Sequence, residues 1–264
     1  MRPLAELRDP QRIRGLLFDI DDTLTTEGKL TLEAYAGLGR LKRAGRILVA
    51  VTGRPAGWCD HIARMWPVDA VVGENGAFYF CLKQGKLHKR FHDADDVRAL
   101  NRARLKAIGE RILHQVPGCA VASDQPYRET DLAIDYCEDV PPLTLEAAER
   151  IAGLMRAEGL TAKVSSIHVN GWFGDYDKLA MTSALFAEQF MISADMLQQE
   201  FAFAGDSPND APMFAFFACS VGVANVARFA GRFTPEPKYV TRSAAGAGFA
   251  ELAAQLLAHL PESA

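Results

Sequence analysis

Leu16-Leu17-Phe18-Asp19-Ile20-Asp21-Asp22-Thr23-Leu24 reads as an apolar strand that runs into three carboxylates within four positions. So much charge cannot follow such a run inside a core. The acids therefore belong at the exposed carboxyl end of the strand, where open parallel α/β sheets build their binding sites. Acids this close repel one another unless a cation or phosphate chemistry gives them a role. A solvated, Asp-rich turn is the competing account of this segment taken alone.

Three further stretches bear on the choice. The run Ile47-Leu48-Val49-Ala50-Val51 ends in Thr52-Gly53-Arg54-Pro55, Lys178 opens a helical stretch after Asp175-Tyr176-Asp177, and Phe201-Ala202-Phe203-Ala204 ends in Gly205-Asp206-Ser207-Pro208-Asn209-Asp210. Thr52-Gly53-Arg54 alone is equally an ordinary β–α turn, and Lys178 alone a solvated lysine at a helix start.

The 264 residues suffice for one large domain or two modest ones. Hydrophobic residues at 49% and charged residues at 23% are those of a soluble globular chain, and the net charge of -4 gives no basic excess for nucleic acid or an anionic membrane. Cys59, Cys81, Cys119, Cys137 and Cys219 are scattered without a CxxC pair, which suggests buried thiols in a reducing compartment. The first ten residues carry charge where a signal peptide needs an apolar run, and the most apolar window, residues 211–224, is too short to span a bilayer. A cytoplasmic location is the expectation.

Up to about residue 80, strand and helix alternate: the Asp19 strand, a helical stripe over 30–44 closed by Gly45, the Ile47 strand, a helix over 55–65, and the strand 70–72. The alternation resumes after Lys178 with a helix over 179–190, the Phe201 strand, a helix over 211–217, strands 220–223 and 239–241, and a closing helix to about residue 260. Together these predict an α/β fold, one doubly wound parallel sheet built from βαβ units. Residues 89–172 have another rhythm: a helix over 93–115, strands over 120–123 and 132–137, a break at Pro141-Pro142, a helix from an N-cap at Thr144, and strands over 162–165 and 167–172. Residues 1–88 and 173–264 thus form a core that carries an inserted α+β cap of order αββαββ. Gly85, Gly171 and Gly174 flank the insertion as candidate hinges.

In order, DxDxT, hydrophobics-Thr-Gly, a lysine, and GDxxND resemble the four motifs of the haloacid dehalogenase superfamily. The cap type resembles subfamily IIB, which includes sucrose-phosphate, mannosyl-3-phosphoglycerate and trehalose-phosphate phosphatases and the phosphomannomutases. The resemblance covers essentially the whole chain. It implies a Rossmann-like core with Asp19 as nucleophile and Asp21 as the acid that protonates the leaving oxygen and later activates water. It implies Mg²⁺ held by Asp19, the backbone carbonyl of Asp21, and Asp206, with Asn209 and Asp210 binding directly, through waters, or by orienting Lys178. Thr52 and the amides of Gly53 and Arg54 would take phosphoryl oxygens, and Lys178 would offset the charge. Asp22 and Thr23 would shape the loop. Relatives usually show Lys-Gly where this chain has Lys178-Leu179.

Gly73-Glu74-Asn75-Gly76-Ala77 resembles the segment that follows the third strand in subfamily IIB. Asn75 either reaches the site or serves an Asn-Gly hairpin turn. His88 and His92 have a metal-binding spacing, but their charged surroundings read better as a solvated hinge. In the cap, Arg128 is the leading candidate for a specificity contact, together with the Ser166, His168 and Asn170 face of the last strand. A satisfied structural histidine is the competing reading of His168.

The expected function is a Mg²⁺-dependent phosphatase for a small phosphorylated metabolite, a sugar phosphate or glycosyl-phosphoglycerate. A phosphomutase or phosphotransferase using the same aspartyl-phosphate is the alternative. A non-catalytic binding module would be marked by loss of Asp19, Asp21, Asp206 or Lys178, and all four are present. Self-association is left open.

Overall fold

The computed structural model describes residues 1–232 and 234–258. Its main sheet has nine strands in the order Arg2–Pro3, Tyr239–Val240, Cys219–Gly222, Phe201–Gly205, Gly15–Phe18, Ile47–Val51, Ala70–Gly73, Phe78–Lys83 and Lys86–Phe91. Pairing is parallel from the first of these to Ala70–Gly73, and the last two strands add an antiparallel hairpin.

Gly15–Phe18 lies between Phe201–Gly205 and Ile47–Val51. The chain winds outward on one side of it and later returns on the other, so Asp19 sits at the topological switch point of the sheet. Leu16 and Phe18 pack into one apolar layer with the helices Leu32–Arg43 and Ala245–Leu257. Leu17 packs into the opposite layer with Lys178–Leu185 and Ala211–Phe216. Burial on both faces is why these strands are continuously apolar rather than alternating. At Gly15 a Cβ would stand 2.4 Å from the Ile47 carbonyl oxygen and 2.6 Å from the Phe201 ring, so only glycine lets the central strands approach this closely.

The cap is a separate four-stranded antiparallel sheet in the order Thr161–Val164, His168–Trp172, Leu132–Asp135, Ala120–Val121. Its helices Asp95–Gln115 and Leu145–Ala157 cover one face, with Leu105, Ile108 and Ile112 of the first meeting Ile151 and Met155 of the second over Ile134 and Val169. Thr144 caps the second helix by accepting the Ala147 amide.

Three expectations are corrected. Lys86–Phe91 is an edge strand and not a hinge, and Gly85 forms the tip of its hairpin beside Gln84, both at positive φ. The run's charge misled because exposed edge strands carry lysine and arginine to block further pairing. His88 therefore faces Cys81 across the hairpin, while His92 bonds Asp93 and packs against Tyr176, so the two histidines do not form a metal pair. Gly171 is likewise no hinge: a Cβ there would stand 2.7 Å from Met155 Sδ inside the cap. Also, the central cap strand stops at Asp135, before Pro141-Pro142. The Asp135 carboxylate ends it by accepting the amides of Cys137, Glu138 and Asp139 at 2.8–2.9 Å.

The chain crosses between core and cap twice, near His92 and near Gly174. Tyr176 joins the crossings by packing against His92 in a tilted arrangement at 4.9 Å and stacking on Trp172 at 5.6 Å between ring centroids. The closing helix is described to Leu257, and its expected end near residue 260 lies outside the described residues. No described helix is long and apolar enough to cross a membrane.

Gly15→Ala is expected to lower the unfolding free energy by about 1–3 kcal/mol through overpacking of the central strands, read from the urea midpoint at unchanged m-value.

Candidate active site

Each motif ends a central strand or begins a helix, and the fold brings those ends together. Asp19 follows Phe18, and its amide donates to Ala204 O at 2.9 Å, locking the strand end to Phe201–Gly205. Asp206 directly follows that neighbour. Lys178 opens its helix after Asp177, whose side chain caps it by accepting the Ala180 amide at 2.8 Å. The buried Lys178 ammonium donates to Asp19 Oδ1 and Asp210 Oδ1, each at 2.7 Å. The other Asp210 oxygen accepts the amides of Asp206 and Ser207 at 3.0 and 3.3 Å. Asp210 thus orients the lysine and shapes the loop at once. Thr23 donates to Asp206 Oδ1 at 3.4 Å, and Asn225 donates to its other oxygen at 3.1 Å.

Carboxylate oxygens of Asp19, Asp206 and Asp210 all lie within 4.8 Å of one another, and all three residues are buried. One lysine cannot balance three acids. Burial, with Asp210 and Asp21 nearby, pushes Asp19 up to about 8 although Lys178 opposes the shift. Burial, with Asp19, Asp210 and Asp22 nearby, pushes Asp206 well above the carboxylate range. Lys178 loses by burial but is held protonated by Asp19 and Asp210. An all-oxygen donor set with an excess of buried negative charge fits a hard divalent cation. Asp21 stands apart from this cluster, because its carboxylate is turned to Arg54. Asn209 bonds Ser207 and Asn75.

On the other flank the Thr52 amide donates to Val72 O at 2.9 Å, and Thr52 Oγ1 accepts the Arg54 amide at 3.0 Å. Asn75 belongs to the turn joining Ala70–Gly73 to Phe78–Lys83, and it also reaches the site. Its amide donates to Thr52 O at 3.1 Å, its Oδ1 accepts from Asn209, and its Nδ2 is buried beside Gly53 with no partner. Gly76 allows the turn to press on the lysine helix, since a Cβ would meet Asp177 O at 2.0 Å.

The cap closes over this floor. A closed gap of about 10 Å³, roughly the room one water needs, is lined by Asp19, Asp21, Gly53, Arg54 and Asn209 from the core and by residues 165–168 and Asn170 from the cap. His168 is buried, and its Nε2 lies 2.9 Å from Glu138 Oε2. Asn170 donates to Asp131 at 2.8 Å.

Arg128 does not line the gap. Its fully buried guanidinium bonds Asp124, Asp131 and Gly53 O at 2.9–3.1 Å, which ties cap to core. Glu74 works in the same joint by accepting the Ala56, Glu129 and Thr130 amides. Its carboxyl is raised to about 7 by burial and by Asp131. Asp124, Asp131, Glu138 and Asn225 were not singled out from the sequence. Only Asp124 and Asp131 carried a signal, standing four before and three after Arg128.

Residues 16–112 match the family model for haloacid dehalogenase-like hydrolases. No curated protein matches the chain in sequence. Solved structures do match. One is Thermoplasma acidophilum 0175, at 16% identity and TM-score 0.69 over 92% of this chain and 98% of that one. The Synechocystis sucrose-phosphatase, solved with sucrose and phosphate, aligns at 15% and 0.61 over 92% and 98%. The C-terminal domain of Candida albicans trehalose-6-phosphate phosphatase aligns at 13% and 0.68 over 94% of each chain. Residues 16–112 are thus similar in sequence to haloacid dehalogenase-like hydrolases, and the chain shares its fold with these solved structures over nearly its whole length.

Two outcomes test this geometry. Arg128→Ala leaves the buried Asp131 without a cation and Asp124 with only its longer contact to Arg54, and should cost about 3–5 kcal/mol of stability by denaturant unfolding; a loss below 1 kcal/mol would remove Arg128 from the joint. Asp19 ionises near 3.8 unfolded and near 8 folded, so the folded state binds the extra proton between those values. Its contribution to stability is complete at the acid end of that window and is lost as pH rises through about 8. Chelated protein should therefore melt lower at pH 8 than at pH 5, and excess divalent cation should raise Tm more at pH 8. A cation effect equal at both values would contradict this account.

Proposed function

We propose that this protein is a Mg²⁺-dependent phosphatase acting on a small phosphorylated metabolite, a sugar phosphate or glycosyl-phosphoglycerate, through an aspartyl-phosphate on Asp19. The observation that carries the reading is the buried Asp19–Lys178–Asp210 arrangement at the switch point, roofed by a cap. The neighbours named for sucrose phosphate and trehalose 6-phosphate support the substrate class.

Asp19, Asp206 and Asp210 would hold the Mg²⁺, which supplies charge neutralisation and orientation for the phosphoryl group. The chain's own residues do the rest. An Asp19 carboxylate oxygen attacks phosphorus as the bond to the leaving oxygen breaks, and Asp21 gives that oxygen its proton. Water then attacks the aspartyl-phosphate, with Asp21 taking the proton back. Lys178 fixes the reactive Asp19 oxygen and offsets the charge that gathers on the phosphoryl oxygens. The unpartnered Asn75 Nδ2, beside Gly53, is a donor facing the same flank. His168, which lines the gap on the cap side, is a candidate contact for a sugar hydroxyl.

Asp19→Asn should abolish turnover, and Asp21→Asn should reduce kcat by about 10²–10⁴. Intact-mass analysis of a rapidly quenched reaction should show a phosphoryl adduct on the unmodified enzyme and none on Asp19→Asn. Substantial hydrolysis by Asp19→Asn would sink the covalent mechanism.

A further inference from the structure

Arg54 joins the acid of the core to the cap. Its Nε donates to both Asp21 oxygens at 3.0 and 2.9 Å, and one terminal nitrogen adds a bond to Asp21 Oδ1 at 2.8 Å. That same nitrogen also donates to Glu138 Oε1. The other reaches Glu138 Oε2 at 3.3 Å and Asp124 Oδ2 at 3.4 Å. All five N–H groups therefore have acceptors, and the guanidinium plane lies 4.3 Å from the Trp58 ring centroid. Such a fork holds two carboxylates in a fixed mutual orientation, which a lysine cannot do.

Glu138 reaches Arg54 because Asp135 gathers the amides of residues 137–139 and turns the loop toward the core. Burial works against its charge, but His168 and Arg54 hold the carboxyl down at about 2.

We propose that Glu138 is a positioning residue for Asp21: acting through Arg54, it sets the Asp21 carboxyl for proton transfer to the leaving oxygen only when the cap is closed. The proposal rests on the phosphatase reading above. With the cap open, Arg54 keeps Asp21 but loses Glu138 and Asp124, and with them the bonds that define the angle of the fork. The acid is thus aligned after the substrate has been enclosed. The proton passes from Asp21 to the departing alkoxide as the phosphoryl group passes to Asp19, so Glu138 matters in proportion to the leaving group's need for that proton.

Two esters of similar size separate this role from simple cap closure. Benzyl phosphate releases an alkoxide that requires a proton, whereas p-nitrophenyl phosphate releases a phenolate stable without one. Glu138→Gln keeps the side chain's size and removes its charge. It should lower kcat for benzyl phosphate about 30-fold or more, within the range of general-acid catalysis, and at least tenfold more than kcat for p-nitrophenyl phosphate. Arg54→Lys, which cannot hold both carboxylates, should show the same split. Asp139→Asn, which removes a charge one residue away on the exposed side of the loop, should show none.

Equal losses on both esters would place Glu138 in cap closure alone and overturn the proposal, as would unchanged kcat on both. An enzyme that hydrolyses neither ester nor any sugar phosphate overturns the phosphatase reading and this one with it.

Discussion

Mutual repulsion of Asp19, Asp206 and Asp210 is the constraint around which the rest is arranged. Three buried acids within reach of one another carry a high cost unless each is held and partly neutralised. Lys178 takes two of them, loop amides take Asp210, and Thr23 and Asn225 take Asp206. These partners come from segments far apart in the chain, and a doubly wound sheet brings them together where its strands diverge. The residual negative charge is what makes the site a cation and phosphate site rather than a plain ionic knot.

A second charged layer lies above the first and has a different task. Arg54 and Arg128 face Asp21, Asp124, Asp131 and Glu138 across the seam between core and cap. Arg128 is wholly enclosed and serves the joint. Arg54 lies against the gap and couples the joint to the reacting groups. The difference between two arginines of the same chain is one of position, because the chemistry of the guanidinium is identical.

The parts legible in the sequence were those whose signal is local. Asp19, Thr52 and Asp206 each end an apolar strand, and Lys178 follows a capping Asp177, so a short window contains the evidence for each. The cap's alternating strands and helical stripes were legible for the same reason. Lys86–Phe91 was not, because an edge strand is selected for charge and reads as loop. Arg128 stood out as an arginine near the site, but its burial between two aspartates depends on a packing that periodicity does not encode. Glu138 had no signal at all: it meets Arg54 across 84 positions, and an isolated glutamate after a strand is ordinary.

The aromatic clasp formed by His92, Tyr176 and Trp172 has a mechanical consequence. Two chain crossings bound to each other act as a single tether between cap and core instead of two independent ones. Stacked rings are nearly indifferent to dissolved salt, whereas the Arg54–Glu138 contact, with Glu138 partly open to solvent, is weakened by it. Placement and hold are thereby assigned to different forces: the aromatic clasp, nearly indifferent to salt, fixes where the cap sits, and the ionic contact adds a hold that salt weakens.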